Sequence, residues 1–297
     1  MKIVAQSFYL NNKINFSSGL TETQTQYIKN LDVVEIEKII KEKYNAKCDF
    51  AKSPAVAGFS KKTFDIFHLL DRKQPPSIRT FDFPVALDGD MLPGNRTSAY
   101  VIWADKNSKL TGRVNFNKKY LGFSRDCMDI YNKYCDAFAP KFANSHILQL
   151  FTHEFIHADH FLNLQNKVNS ETINEIKKIN YYRFANEILE KAGYYAMNSP
   201  FELYANYWSR EICNSLDENF VPKYNPFEEP KLNLTPELRK FIDAIAVADV
   251  KAISDIANGK TKTTISFFQN DNNILKKAFW NFARLFTLDE MGGKKWK

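Results

Sequence analysis

His153-Glu154-Phe155-Ile156-His157 is the run from which the rest of the chain is best read. On a helix, residues four apart project from one face, so both imidazoles can reach a single metal ion. Glu154 stands about 100° round the helix from His153, where it can polarise a water at the metal without being a ligand itself. The flanks predict the helix this chemistry requires. No Gly or Pro interrupts residues 143–164, and apolar residues at 147, 148, 150, 151, 155, 156, 161 and 162 cover a broad arc. His146, His153, His157 and His160 fall on one stripe beside that arc, so four of the five histidines share a side of this helix. His146 lies two turns below His153, too far to share its ion. His160 is expected as a neighbour of the site that helps to hold substrate. A plain row of half-buried histidines with ordinary partners is the alternative.

Two histidines do not complete a catalytic zinc site, which takes three protein ligands and leaves one position open. No histidine follows His160, which turns attention to a downstream stretch, Asn198-Ser199-Pro200-Phe201-Glu202-Leu203-Tyr204-Ala205-Asn206. It reads as a helix with Ser199 at the N-cap and Pro200 at the first helical position. Glu202, Ala205 and Asn206 share its inner face. Glu202 is the expected third ligand, with Asn206 one turn on to hydrogen-bond a ligating imidazole. Ser199 to Glu202 is also a capping box, in which the glutamate would bond back to the Ser199 amide. Both readings stand at this point. Asp159 points away from the histidine stripe, and Cys213 lies three turns beyond Glu202; both are weaker candidates.

The pattern Thr152-His153-Glu154-Phe155-Ile156-His157, followed some 45 residues later by Glu202-x-x-Ala205-Asn206, resembles the zincin-like metallopeptidases. It is most similar to the gluzincins, whose second helix carries Glu-x-x-x-Asp. The resemblance implies that His153, His157 and Glu202 are zinc ligands, that Glu154 is the general base, and that Asn206 supports a ligand histidine. Asn stands where the family has Asp, so that support would be neutral and weaker. The SprT-like branch needs a later histidine that this chain lacks. The longer metzincin pattern fails too, with His160 where its Gly belongs and Asn163 where its third His belongs. The resemblance covers residues 144–210. It further implies an antiparallel edge strand above the metal, and residues 112–117 suit that role by pairing with an extended peptide. An ordinary surface hairpin explains them equally. A donor for the developing oxyanion is also required, and Tyr194, Tyr195, Tyr204 and Arg210 are the candidates.

Composition bounds the remaining possibilities. Hydrophobic residues at 44% and aromatics at 14% describe an ordered globular chain of 297 residues. The net charge of +7 favours acidic partners, yet no dense Lys/Arg block or nucleic-acid motif accompanies it, which argues against nucleic-acid binding. Cysteines 48, 127, 135 and 213 form no Cys-x-x-Cys pair and suit a reducing compartment. The apolar part of residues 1–10 is too short for a signal peptide, and no run reaches the ~18 apolar residues of a membrane span. Cytoplasmic residence is the expectation, with signal-less secretion left open.

The pass along the chain predicts strands at 1–16, 78–87, 99–104 and 112–117. Helices are predicted at 32–44, 62–70, 128–137, 143–164, 170–193, 199–215, from 236 and at 272–287. The expected class is α+β: a mixed N-terminal part with a small antiparallel sheet (1–125), a helical metal-site part (126–218), and a Pro-rich connector with C-terminal helices (219–297), or one continuous domain. These readings lead to a zinc-dependent hydrolase acting on peptide or protein substrates, with Glu154 as the catalytic base, no membrane association, and Zn²⁺ as cofactor. A catalytically inactive zincin-like binding or structural protein and a basic nucleic-acid-associated protein are the alternatives.

Overall fold

Residues 53–69 decide how the sheet is built. Pro54 occupies the first helical position, and the apolar stretch after it continues one helix, α2 (Pro54–Leu69), where only residues 62–70 are predicted helical. Ala55, Val56, Ala57, Gly58 and Phe59 are all buried, so packing overrides the poor helix propensity of Gly58. Ahead of it come α1 (Val33–Tyr44), capped by the Asp32 carboxylate, and the short strand β1 (Cys48–Asp49). After it comes β2 (Ser77–Phe81). A helix of this length is the crossover that parallel strands require, and β1 and β2 do run parallel.

The computed structural model describes residues 30–70, 76–81, 99–104, 110–117, 146–217 and 220–260. The predicted elements at 1–16, 128–137 and 272–287, and the end of 78–87, lie outside them.

β3 (Ala99–Ala104) and β4 (Leu110–Asn117) complete a four-stranded sheet in the order β1-β2-β4-β3. The expected small antiparallel sheet is overturned. β1, β2 and β4 are parallel, and the β3–β4 ladder alone is antiparallel. The fold is a mostly helical α/β arrangement. Strand periodicity marks where a strand lies but not its partner, and here α2 and the return to β4 set the partners. Residues 112–117 are no edge, because β4 bonds to β2 on one side and β3 on the other. Its backbone groups are taken, and among the described residues β3 holds the outer position.

Helix α3 (His146–Leu164) packs on this sheet and on α2 through aromatic rings. Phe116 of β4 stacks on Phe151 with ring centroids 4.3 Å apart, and Phe155 meets Phe64 edge-on at 5.0 Å. Close approach is enforced further along: a Cβ on Gly112 would lie 2.5 Å from the Leu162 side chain. The opposite side of α3 faces α6 (Pro200–Ser215).

Between them, the predicted helix 170–193 is broken. α4 (Ser170–Lys177) ends where the Asn180 side chain accepts a hydrogen bond from the Tyr182 amide, a local turn that competes with helix. A 3₁₀ turn (Tyr182–Phe184), α5 (Ala185–Lys191) and a second 3₁₀ turn (Tyr194–Met197) follow. α7 (Pro236–Ala246) and α8 (Val250–Ala257) close the described chain. One buried apolar cluster joins Ile36 of α1, Phe116 of β4, Phe155 of α3 and Ile253 of α8. No described helix is long and apolar enough to cross a membrane.

Candidate metal centre

Two helices build the centre. α3 presents His153 and His157 from successive turns, both buried and turned towards α6. α6 starts beside them because Ser199 caps it, accepting a hydrogen bond from the Glu202 amide at 3.3 Å. The Glu202 carboxylate lies against the two imidazoles, with its Oε2 3.1 Å from His153 Nε2 and 3.3 Å from His157 Nε2. The two Nε2 atoms are themselves 3.1 Å apart. Ser199 thus caps the helix while Glu202 faces the histidines. Ala205 is fully buried on the same face.

These three atoms form a nearly equilateral triangle, and its edges test the fit to an ion. Zinc bonds of 2.0–2.2 Å at tetrahedral angles place neighbouring donor atoms roughly 3.3–3.6 Å apart. Edges of 3.1–3.3 Å are within a few tenths of an ångström of that. The donors also suit zinc chemically, two imidazole nitrogens and one carboxylate oxygen. Among the described residues this is the one group of three potential ligands that converges.

The charges are coupled. Burial alone would lower His153, but the hydrogen bond and charge of Glu202 outweigh it and raise its pKa. Burial prevails at His157, whose pKa is lowered despite Glu202. Glu202 itself would be raised by burial. The positive charge and hydrogen bonds of His157 and His153 instead hold it well below the usual carboxylate range. Glu154 is buried next to this group, and burial, aided by the Glu202 charge and opposed by His153, pushes its pKa up to about 7.

No known family, no curated protein and no solved structure matches this chain. The likeness to zincins therefore rests on its own residues.

The remaining predicted residues divide. Asn206 is buried one turn after Glu202 and approaches His153 closely enough to favour the protonated imidazole. The Nδ1 atoms of both histidines, however, make no hydrogen bond of ordinary geometry, so the expected orienting bond is reduced to a near approach. His160 is buried in the core. Its ring is buried 4.2 Å from that of Tyr204, and its Nε2 lies 3.1 Å from the Ala246 carbonyl oxygen at the end of α7. Asp159 is buried and accepts from Asn163, and Cys213 is buried with its thiol pushed up to about 12; neither joins the triangle. His146 lies in the first turn of α3.

Two neighbours escaped the sequence. Lys177, at the end of α4, is lowered by burial and pulled back by Glu202, and it lowers His157 in turn. Tyr181 is buried, is raised further by the Glu202 charge, and donates to the Ala196 carbonyl at 2.7 Å. Both come from a stretch predicted as continuous helix, in which neither has a distinguishing neighbour in sequence.

Proposed function

We propose that the chain is a zinc-dependent hydrolase, a peptidase acting on peptide or protein substrates. The observation that carries the reading is the Nε2–Nε2–Oε2 triangle of His153, His157 and Glu202, with the buried carboxylate of Glu154 beside it. Zinc held by those three residues would supply a Lewis acid that polarises a carbonyl and brings the pKa of water to about 7. The chain's own part is proton transfer. Glu154 accepts a proton from the water that attacks the carbonyl and delivers it to the nitrogen of the leaving amine, so the carboxylate is restored after each cycle. A purely structural clamp of helices would need no carboxylate in that position.

Elemental analysis of the purified chain is expected to give one zinc, and hydrolysis of a fluorogenic peptide mixture is expected to stop with chelator. Glu154→Gln is expected to keep the zinc and lose about 10²–10⁴-fold in kcat. A fully active Glu154→Gln variant would refute the base, and a chain with no affinity for zinc would refute the whole reading.

A further inference from the structure

We infer that two aromatic rings, those of Tyr195 and Phe161, hold the imidazoles of His153 and His157 in their metal-binding orientation. They take the place of the usual hydrogen bonds, and the inference rests on the metal centre proposed above. A histidine that binds metal through Nε2 ordinarily donates its Nδ1–H to a carboxylate, a carbonyl or water, and that bond fixes the ring. Here both Nδ1 atoms are buried and make no hydrogen bond of ordinary geometry among the described residues. Rotation of an imidazole about its Cβ–Cγ bond is intrinsically broad. Something other than hydrogen bonding at Nδ1 must therefore set it, because both Nε2 atoms lie 3.1–3.3 Å from the same Glu202 oxygen.

Ring packing supplies that constraint. His153 and His157 meet edge-on, with centroids 4.6 Å apart and planes at 87°. The Phe161 ring, one turn after His157 on α3, lies nearly parallel to that imidazole, at 10° and 6.0 Å. At the other end Tyr195 lies edge-on to His153 at 6.1 Å. A row of four rings thus runs Tyr195–His153–His157–Phe161, each pair within the 4.5–7 Å over which aromatic rings attract in defined geometries. Both ends of the row are anchored. Phe161 is buried and packs at 5.5 Å on Phe201, the residue before Glu202, so one contact sets α6 against the histidines. Tyr195 stands on the second 3₁₀ turn, which Gly193 opens at φ 86°, a conformation that side chains with a Cβ rarely adopt. Tyr181 ties that turn down by donating to the Ala196 carbonyl at 2.7 Å. The rings act on the metal through the imidazoles; they are positioning residues.

The test measures zinc affinity by chelator competition, and ligand geometry by the visible spectrum of the cobalt(II)-loaded full chain. Phe161→Leu and Tyr195→Leu should each raise the zinc Kd about 10-fold and alter the cobalt spectrum. Tyr195→Phe keeps the ring and should stay within about threefold of the unaltered chain. Phe64→Leu removes a ring from the opposite side of α3, where it meets Phe155 at 5.0 Å. It should lower the melting temperature and leave both metal readings unchanged. Leu variants that lose stability but keep full zinc affinity and the cobalt spectrum would overturn the inference. So would a Tyr195→Phe variant as weak as Tyr195→Leu, or an Asn206→Ala variant weaker than either Leu variant, which would return the task to polar groups. If Phe161→Leu does not fold, Tyr195→Leu against Tyr195→Phe decides. An unaltered chain that binds no zinc would instead overturn the metal centre itself.

Discussion

Replacing Glu202 by Gln separates its two possible roles, as a zinc ligand and as part of a helix cap. Gln keeps the length of the side chain and leaves an oxygen that can accept from an imidazole, so the metal-free fold is disturbed little. It removes the charge that lies 3.1 Å from His153 Nε2 and 3.3 Å from His157 Nε2. With free zinc at 1,000 times Kd, binding stabilises the folded chain by about 4.1 kcal/mol. A variant binding about 100-fold more weakly would retain only about 1.4 kcal/mol at the same zinc concentration. The difference of about 2.7 kcal/mol corresponds to roughly 5–10 °C of zinc-induced melting shift in a domain of this size. Ser199→Ala supplies the contrast. It removes the bond to the Glu202 amide, costs about 1 kcal/mol with or without zinc, and should leave the zinc-induced shift as it was. Thermal scans of the three proteins with zinc and with chelator, supported by chelator competition, measure both quantities. A Glu202→Gln variant with the full zinc-induced shift would show that the carboxylate faces the histidines without binding metal.

Three further outcomes follow from the packing. His160→Ala removes a buried ring and leaves the Ala246 carbonyl without its imidazole partner, so it should cost roughly 2–4 kcal/mol in denaturant melts while KM for peptides stays unchanged; a raised KM with full stability would restore the substrate-binding role. Gly112→Ala places a methyl 2.5 Å from Leu162 and should destabilise by about 1–3 kcal/mol in the same melts, with no loss if α3 shifts freely on the sheet. Burial raises Asp243 to about 6, against the opposing charges of Arg239 and Lys240, so the folded chain holds that proton more tightly than the unfolded one. The fold is therefore weakened as pH rises from 3.8 to about 6, and the whole loss is present above that. Asp243→Asn should stabilise by about 1–2 kcal/mol at pH 7.5, after allowance for its partial exposure. The gain should shrink steadily towards pH 4, and a gain independent of pH would refute the titration.

The parts that could be read directly are those governed by local spacing. The apolar arc and the four-residue interval of α3 placed His153 and His157 on one side of a helix, and the Ser199-Pro200 start located α6 and turned Glu202 inward. What could not be read depends on partners far away in the chain. Strand periodicity at 112–117 is the same for an interior strand as for an edge one, and the insertion of β4 between β2 and β3 is settled by tertiary packing. Apolar spacing carried the prediction through residues 178–184, where the Asn180 turn breaks the helix. His160 lies on the stripe of the site yet belongs to the core, because the side of α3 that carries His153 and His157 continues under Tyr204 and the end of α7. Lys177 reaches Glu202 only because α4 folds back onto α6.

The separation of the three donors along the sequence has a consequence for how the proposed site would acquire an ion. During synthesis His157 leaves the ribosome 45 residues ahead of the Glu202 carboxylate, and His153 4 residues before that, so until Glu202 follows only two donors have emerged. Tight capture would wait for Glu202 to emerge and for α6 to dock on α3. Zinc uptake by the proposed site would then be gated by completion of the second helix, and the rate at which a refolding chain takes up zinc should follow that docking step rather than the formation of α3.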